Sequence, residues 1–525
     1  MDFSKISKFT LQLIWIYFLV TSGYAQTVTG KVFIDENRNG ILDQDESGLE
    51  GVIVSNQVDV VLTDKNGQYE IQLEEGHSLM VIKPSGYQLP LNEFNIPQYS
   101  YEHEPSGSPE KLKYGGLKAT GKILENLDFA LYRSDTGSDY SAIFISDPQP
   151  RDDQELTYIR DTFVNQATLE EADLMLVLGD MMYNDLSLFD RYKTLLSKTE
   201  KVMWHVVGNH DLDFNADSNR HARDTYKNHF GPNYYAFNEG EVTYLVLDNV
   251  NYKGLGEKGR PVYEGRIWGE QLTWIENLLP HIPEKNLIIV ATHIPLYSWD
   301  GETSNVNTLN RRDLFRLLKD RKKLLSVSGH LHMTYHHFLD EEAGWVEETP
   351  FHHLVTTSVA GTWWGGVPDM NQIPTSTQRD GNPNGYHLFS FQGSDYMEDF
   401  VGLGKPADFQ LRIEYPTGNI YQSDLPEKLI VNVFNGSSKN EVHYRINGGD
   451  WYEMNNVTRP SPYFEYLLTE FSEYWSENIS AIPTNHIWES SLELPNSNKI
   501  YRIDVKTKDI YGKEWVTSKL FEMRE

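Results

Sequence analysis

Five short apolar runs, each closed by polar or turn-forming residues, constrain the fold of this chain more than any other feature. The runs are rich in β-branched residues and cover 142–145, 174–178, 202–207, 287–291 and 324–327. A short apolar run that ends in turn residues is typical of a buried strand. Segments between the runs, such as 154–171 and 269–279, have helical composition. Alternating buried strands and helices predict an α/β domain whose sheets lie between helices.

Acidic, amide and imidazole groups directly follow each of these runs. The blocks are Asp147-Pro-Gln149, Gly179-Asp180, Gly208-Asn209-His210-Asp211, Thr292-His293 and Gly329-His330-Leu331-His332. Open α/β sheets place their sites at the carboxyl ends of the strands. A single Asp or His at such an end is usually a capping or solvated group, but that reading does not explain seven of them in one pattern. The pattern therefore predicts one site to which all five strands contribute.

The order of these blocks (Asp-x-Gln, Gly-Asp, Gly-Asn-His-Asp, His, Gly-His-x-His) resembles the calcineurin-like metallophosphoesterase superfamily over about residues 140–400. With a β domain on either side, the chain is similar to the secreted three-domain phosphoesterases of Bacteroidetes-type bacteria. The resemblance implies an α+β four-layer core, in which two packed sheets are flanked by helices. It also implies hydrolysis of phosphate esters by a hydroxide that bridges two divalent metal ions.

The resemblance also assigns roles to residues, position by position. Asp180 matches the carboxylate that bridges the two ions. The other ligands of the first ion would be Asp147, Gln149 and His332. Those of the second ion would be Asn209, His293 and His330. His210 is similar to the family's general acid, which protonates the leaving oxygen, and Asp211 would fix the tautomer of His210 and raise its basicity.

Gln149 is the one departure from the common family pattern, which has His at this position. An amide oxygen is a harder and weaker donor than an imidazole nitrogen. The first site is therefore predicted to favour Mn²⁺, Fe or Mg²⁺ over Zn²⁺ and to bind its ion more weakly. If Gln149 instead lies behind the ligands, this ion would be exchangeable or missing.

Loop residues after the last metal block, together with Tyr183, are candidates for the substrate pocket. Trp363 and Trp364 would stack on a base or sugar ring, and Arg379 would hold a second phosphate; packing within the loops is the alternative. The sequence leaves the ester open. The resemblance to family members that share the Asp-x-Gln pattern implies a phosphodiester or pyrophosphate-type substrate, for example one linked to a glycan or cell wall. The alternatives are a phosphomonoesterase and a catalytically inactive surface binding or adhesion protein.

The segments 27–133 and 405–525 have the alternating and apolar runs of all-β sandwich domains on either side of a core at 140–402. The first segment contains a match to the EF-hand loop pattern, with oxygen donors at Asp35, Asn37, Asn39, Ile41 (through its carbonyl), Asp43 and Glu46. Strands rather than helices flank this loop. The two readings are a structural Ca²⁺ site and a plain turn rich in Asp and Asn.

The charge balance and the absence of cysteine exclude several classes of partner and chemistry. Asp and Glu number 76 against 46 Lys and Arg, which gives a net charge of −30. Such a charge opposes nonspecific binding to nucleic acid or to anionic membranes. It also repels phosphate esters at long range, so a phosphate site needs local positive charge, which bound metal ions supply. Without cysteine, disulfides, thiolate nucleophiles and Cys-ligated zinc are excluded.

Residues 1–25 have the pattern of a signal peptide. Lys5 and Lys8 precede an apolar stretch at 9–20, and small residues lead up to Ala25. The stretch is shorter than the roughly 20 residues that a membrane span needs. We therefore expect cleavage near Ala25 and an extracytoplasmic protein that is periplasmic, secreted or on the cell surface, with no membrane span after cleavage.

Overall fold

The structure is a computed structural model that describes residues 25–123, 126–134, 137–301, 303–421, 423, 427–494 and 499–525. The predicted signal peptide lies outside the described residues, apart from Ala25 at its end. Within the described ranges, every helix is too short or too polar to cross a membrane.

Two four-stranded sheets form the N-terminal domain, and their orders are β4-β1-β8-β6 and β3-β2-β5-β7. The strands are β1 Gln26–Ile34, β2 Ile53–Ser55, β3 Val60–Leu62, β4 Gln68–Leu73, β5 Ser78–Val81, β6 Tyr87–Gln88, β7 Ser100–Glu102 and β8 Phe129–Arg133. The domain packs on the core partly through Lys83, whose Nζ donates to the Asn238 carbonyl (2.8 Å) and pairs with Glu239 (2.9 Å).

The EF-hand-like loop connects β1 to β2 as irregular backbone held by its own side chains. The Asp43 carboxylate accepts hydrogen bonds from the amides of Asn37 (2.7 Å) and Asn39 (2.9 Å). Glu46 accepts from the backbone of Glu36 and of Asp43, and the Ile41 side chain is exposed. These contacts are those of a turn rich in Asp and Asn, and Ca²⁺ binding stays a prediction.

The core has two sheets, and their orders are β11-β10-β9-β20-β21 and β12-β13-β16-β17-β19-β18. Its elements are β9 Asp139–Ile145, α1 Asp153–Ile159, α2 Asn165–Ala167, β10 Leu174–Val177, α3 Phe189–Leu196, β11 Val202–His205, α4 Asp224–Phe230, β12 Tyr235–Glu239, β13 Val242–Val246, β14 Val250–Leu255, β15 Pro261–Gly265, α5 Gly269–Leu278, β16 Leu287–Ala291, α6 Arg311–Leu318, β17 Leu324–Ser328, β18 Tyr335–Leu339, β19 Phe351–Val355, β20 Gly385–Gln392 and β21 Asp395–Gly402.

Strands β9 to β11 are parallel, as are β13, β16, β17 and β19, so their carboxyl ends share one edge. Side chains of β9 alternate between two apolar layers. Ile143 and Ile145 pack with α1 and α3, whereas Phe144 faces the second sheet and contacts Tyr244 (ring centroids 6.3 Å apart). Helices α5 and α6 pack on the second sheet through residues such as Trp274. The helix–sheet–sheet–helix core confirms the predicted fold class.

Two buried histidines that are not predicted metal ligands lie where the core meets the C-terminal domain. Tyr396 bonds to His352 (2.7 Å), His352 to His336 (2.9 Å), His336 to Asn435 (2.9 Å) and Asn435 to Glu398 (2.8 Å). Because the Asn435 amide donates to Glu398, its oxygen accepts from His336. Each donor then points towards Glu398, and both imidazoles are neutral. We call this the histidine chain; it joins the core to Asn435 of the following domain.

The C-terminal domain is a sandwich of sheets ordered β22-β24-β28-β27 and β23-β30-β29-β25-β26. Its elements are β22 Leu411–Tyr415, β23 Ile420–Tyr421, β24 Glu427–Val433, β25 Glu441–Ile446, β26 Tyr452–Glu453, β27 Asn455–Arg459, α7 Pro462–Glu470, β28 Thr484–Leu492, β29 Lys499–Lys508 and β30 Glu514–Arg524. The expectation of an all-β domain misses α7. Ser461 caps this helix through the Phe464 N–H, and Pro462 occupies its first turn.

Candidate metal centre

The site begins with an unusual backbone at the strand ends. Five predicted ligands have left-handed φ values between 34° and 76°: Asp147, Gln149, Asp180, His330 and His332. Residues other than glycine rarely adopt this region, so the surrounding structure must impose it, as is common at functional sites. Gly208 is constrained by a close approach instead, since a Cβ there would lie 2.2 Å from the Asp180 backbone nitrogen.

The second predicted ligand set converges through fixed imidazole tautomers. His293 donates from Nδ1 to the Leu178 carbonyl (2.8 Å), and His330 donates from Nε2 to the Asn305 carbonyl (2.8 Å). Their other nitrogens then face each other as acceptors, 3.1 Å apart. The Asp180 Oδ2 and Asn209 Oδ1 atoms lie 3.2 Å and 3.0 Å from His293 Nε2. Acceptors this close need a shared proton or a cation between them.

The first predicted set also reaches Asp180, through Gln149. His332 donates from Nδ1 to the Gly361 carbonyl, which leaves Nε2 as an acceptor 3.7 Å from Asp147 Oδ1. Gln149 donates its amide to Asp180 Oδ2 (2.7 Å), while its Oε1 is buried without a partner. An orphaned buried oxygen is costly unless something satisfies it. Its place among carboxylate and imidazole acceptors fits a divalent ion.

Burial and mutual charge shift the pKa values of these groups. Burial raises the pKa of Asp147 to about 7 and lowers that of His330 to about 3. Burial acts to lower the pKa of His293, but the Asp180 carboxylate raises it to about 9. Burial acts to raise the pKa of Asp180, but the nearby imidazoles outweigh it and hold it below its usual range. The ligand set therefore needs positive charge, and oxygen and nitrogen donors of this kind suit Mn²⁺, Fe, Mg²⁺ or Zn²⁺.

His210 lies at the edge of the ligand set, where its backbone N–H donates to Asp180 Oδ1 (2.8 Å). The Nδ1 atom of its ring donates to the Tyr183 carbonyl (3.0 Å) and to the Asn184 Oδ1 atom (2.6 Å). Tyr183 also stacks on the imidazole, with ring centroids 5.0 Å apart. These contacts fix the orientation of the ring and leave Nε2 as the atom available to a substrate.

The predicted role of Asp211 as the partner of His210 is wrong. Its carboxylate accepts instead from the backbone N–H groups of Met181 (2.8 Å) and Gly208 (2.8 Å). It therefore ties the two strand-end turns together, because free amides at these turns lie nearer than the imidazole. Asn184 takes the orienting role, and the hydroxyl of Tyr114 from the N-terminal domain donates to the Asn184 carbonyl (2.9 Å).

The four predicted pocket residues divide into two groups. Tyr183 is exposed beside His210, and Trp363 lies over the His332 ring (centroids 4.2 Å apart). Trp364 is buried, donates to the Pro148 carbonyl (3.0 Å) and packs in the core, so its predicted stacking on a substrate is wrong. Arg379 is half-buried, and its Nε bonds weakly to the Ser480 carbonyl (3.4 Å).

Two residues near the site carry no motif that sequence reasoning could use. Arg151 donates to the Trp363 carbonyl (2.8 Å) and pairs with Glu155 (2.6 Å). Tyr263 lies edge-on to His330, with ring centroids 6.1 Å apart. Tyr263 belongs to the β14–β15 hairpin, and the sequence Gly254-Leu-Gly256-Glu-Lys-Gly259 covers the end of β14 and the turn that follows it. That Gly-x-Gly-x-x-Gly match is a hairpin turn rather than a dinucleotide site.

Comparisons with known proteins agree with this geometry. A family model described as calcineurin-like phosphoesterase matches residues 140–334. Models of the N terminal and of the C terminal of calcineurin-like phosphoesterase match residues 36–118 and 353–515. No curated protein sequence matches the chain.

Two solved structures show a weak similarity. A dimetal phosphatase from Danio rerio is 15% identical, with 50% of this chain and 96% of that chain covered and a TM-score of 0.36. A purple acid phosphatase from yellow lupin (Lupinus luteus) seeds is 14% identical, with 72% and 68% covered and a TM-score of 0.37. Scores this low carry no argument about function.

Fold, site and family matches together define a metal-dependent phosphoesterase. The chain belongs to the calcineurin-like phosphoesterases, in the form with a β domain on each side of the core. The family implies a phosphate-ester substrate and two divalent metal ions. The convergence of Asp180, His293 and His330, whose ligand atoms all lie within 4.8 Å of one another, fits such ions.

Proposed function

We propose that this protein hydrolyses a phosphodiester or a pyrophosphate-type substrate outside the cytoplasm, with His210 as the general acid. The export part rests on the signal-peptide pattern of residues 1–25, which ends at Ala25. The N-terminal residue of the protein recovered from its native compartment, read by mass spectrometry, tests that part. A chain that keeps residues 1–25 would contradict it.

The geometry of His210 is the observation that carries the proposed mechanism. When bound, the two divalent ions would supply the nucleophile and neutralise negative charge on the phosphoryl group. The Nδ1 atom of His210 donates to Tyr183 and Asn184, which leaves Nε2 free at the edge of the ligand set. The ring would give the leaving oxygen a proton from Nε2 in its imidazolium form; desolvation lowers the pKa of His210, and the Asp180 carboxylate acts to raise it. A positioned imidazole that protonates a leaving oxygen contributes about 10²- to 10⁴-fold to such a reaction.

The charges around the site favour a diester over a monoester. A monoester dianion needs more positive charge around it than a diester monoanion does. Arg151 is already paired with Glu155, and Arg379 is half-buried against the C-terminal domain. A phosphomonoesterase would need such arginines free to face the dianion.

Replacing His210 with Gln should slow the enzyme according to the leaving group. The alkoxide that leaves from an alkyl diester is a strong base and needs a proton. For such a diester, kcat/KM should therefore fall by about 10²-fold or more. The p-nitrophenolate of bis(p-nitrophenyl) phosphate leaves unaided, so the same variant should lose much less activity on it. The p-nitrophenyl monoester, assayed in parallel, should be the poorer substrate of the wild type.

His281 is exposed and remote from the predicted ligands, so His281→Gln is the matched control. Asn184→Ala should reproduce part of the leaving-group effect, and Asn184→Asp should restore it because it keeps an acceptor for Nδ1. Equal losses on both diesters in His210→Gln would contradict the general-acid role.

Replacing Gln149 with His should raise the affinity of the first site for Zn²⁺. The wild type, dialysed against limiting Zn²⁺, is expected to keep about one ion tightly, whereas Gln149→His keeps about two, since imidazole binds zinc more tightly than an amide oxygen does. Metal content by mass spectrometry is the readout. Gln154→His, on the exposed start of α1, is the control. Two tightly held zinc ions in the wild type would rule out the role assigned to Gln149.

A further inference from the structure

A cleft of about 630 Å³ opens at one edge of the C-terminal sandwich, between β22, β30 and α7. Its lining residues combine aromatic rings, hydroxyls and two cations, and the main ones are Phe409, Arg412, Thr417, Tyr463, Tyr466 and Lys519. We call it the C-terminal cleft. Its volume lies in the range of small-ligand sites, roughly 300–1,000 Å³.

Lys519 occupies a position where the sandwich would normally place an apolar residue. Side chains along β30 alternate between the two faces of the strand. Phe521 and Met523, on the same face as Lys519, belong to the apolar core. The Lys519 ammonium bonds to the Pro416 carbonyl (3.0 Å), and no carboxylate of the described residues lies within ion-pair distance of it. Burial lowers the pKa of Lys519. In a chain of net charge −30, an unmatched half-buried ammonium is unusual.

The second cation of the cleft is engaged within the domain. Arg412 pairs with Glu414 (2.8 Å), which also lines the cleft, and donates to the Gly381 carbonyl. The guanidinium stacks over the Tyr463 ring at 3.7 Å, and its Nε atom is buried without a partner. Tyr466 beside it is 51% exposed, so its ring is available to a ligand.

We propose that the C-terminal cleft binds a saccharide that carries a carboxylate, such as a uronic acid unit. The Lys519 ammonium would hold the carboxylate through the donors that the Pro416 carbonyl leaves free. Tyrosine rings offer flat apolar faces with a polar hydroxyl, which suits the C–H face of a sugar. The proposal does not depend on the substrate of the metal centre.

An acidic peptide fits the cleft less well. A peptide would be expected to add as a strand to the free edge of β22. That strand is short, and its pairing with β24 shifts register between Ile413 and Tyr415. A bulge of this kind twists an edge away and opposes strand addition.

Isothermal titration of the full chain with a tetrameric oligogalacturonate tests the proposal. We expect one binding site per chain, outside the metal centre, so that chelation of the metals leaves the affinity unchanged. Lys519→Met, which keeps the length of the side chain, should weaken binding about tenfold or more. Tyr466→Ala, at an exposed position, should weaken it several-fold with unchanged thermal stability. Neither variant should alter hydrolysis of bis(p-nitrophenyl) phosphate.

Matched controls come from the same domain. Lys499→Met replaces an exposed lysine of β29, and Tyr452→Ala replaces a tyrosine that is 53% exposed away from the cleft. Both should bind like the wild type. Four results would overturn the proposal: no binding of oligogalacturonate by the wild type, equal binding of a neutral maltotetraose, preferential binding of an oligoglutamate peptide, or binding that Lys519→Met and Tyr466→Ala both leave intact.

Discussion

Asp180→Asn should abolish hydrolysis, with a fall in kcat/KM of about 10³-fold or more on any ester. The carboxylate is central to the site, since it accepts from Gln149 and from the His210 backbone and lies 3.2 Å from His293. Asparagine keeps the shape but offers one weak oxygen donor instead of two charged ones. In excess Mn²⁺, metal analysis should show that the variant holds at most one ion where the wild type holds two.

Stability measurements separate this loss from misfolding. Asp147 and Asp211 are buried near Asp180, and burial followed by the Asp180 charge raises the pKa of Asp211 to about 8. Removing the Asp180 charge relieves Asp211 but also removes the carboxylate that, against burial, holds the pKa of His293 at about 9, so the metal-free variant should have a stability close to that of the wild type. Added Mn²⁺ should raise the Tm of the wild type more than that of the variant. Asp185→Asn is the control, because Asn caps the turn before Ser187 as well as Asp does. Full activity in Asp180→Asn would refute the assigned site.

The metal-free protein should lose stability steeply as the pH falls below about 6.5. Five histidines away from the metal ligands are buried with pKa values lowered by burial: His205, His336, His337, His352 and His353. Their folded pKa values lie below the unfolded value of 6.5, so stability is present above that pH and is lost as the pH falls. Well below pH 6.5, each of the four with large shifts contributes up to about 1.4 kcal/mol per pH unit, or about 5–6 together, and His336 adds less.

That slope is large beside a typical folding free energy of about 5–15 kcal/mol, so unfolding is expected near pH 5. The charged and titratable groups that face these histidines are Lys193, Glu398, His387, His486 and Lys439. Of these only Glu398 favours protonation, and it acts on His336 through Asn435. The charged neighbours therefore do not stabilise the protonated form of the four histidines other than His336.

Urea midpoints measured in chelator between pH 7.5 and 5 give the slope. His205→Phe keeps the ring packing on Phe230 (centroids 4.4 Å apart) and removes one titrating group. It should reduce the slope by about 1.4 kcal/mol per pH unit. His281→Gln, at an exposed position, should leave the slope unchanged. A wild-type stability that stays flat down to pH 5 would show that these histidines are not buried as neutral groups.

Local patterns in the sequence were enough to predict the strands that carry the site. Buried parallel strands leave apolar runs, and the runs at 142–145, 174–178 and 287–291 coincide with β9, β10 and β16. The helical composition of 269–279 was equally readable, and α5 covers Gly269–Leu278. These features depend on residues that are close in sequence, which is why they can be read from it.

Contacts between distant residues were not readable in the same way. The partner of Asp211 is decided by backbone amides at two separate turns, and the partner of His210 comes from the loop after Asp180. Trp364 lies in a loop, yet its indole is buried and donates a hydrogen bond to the Pro148 carbonyl. The α7 helix did carry a signal, Ser461 before Pro462, which the surrounding β pattern obscured.

The place of β20 in the first sheet has a consequence for the order in which the protein is made. Strand β9, which leads to Asp147, is paired on one side by β20, in which His387 lies opposite Phe144 although it is far along the chain. A nascent chain that has just passed His332 holds all seven predicted ligands but has an open edge on β9. Long-range pairing of this kind is slow to form, and the open edge is prone to aggregation until it closes. The sheet that carries the first of these ligands is therefore completed only by a segment synthesised after the last of them.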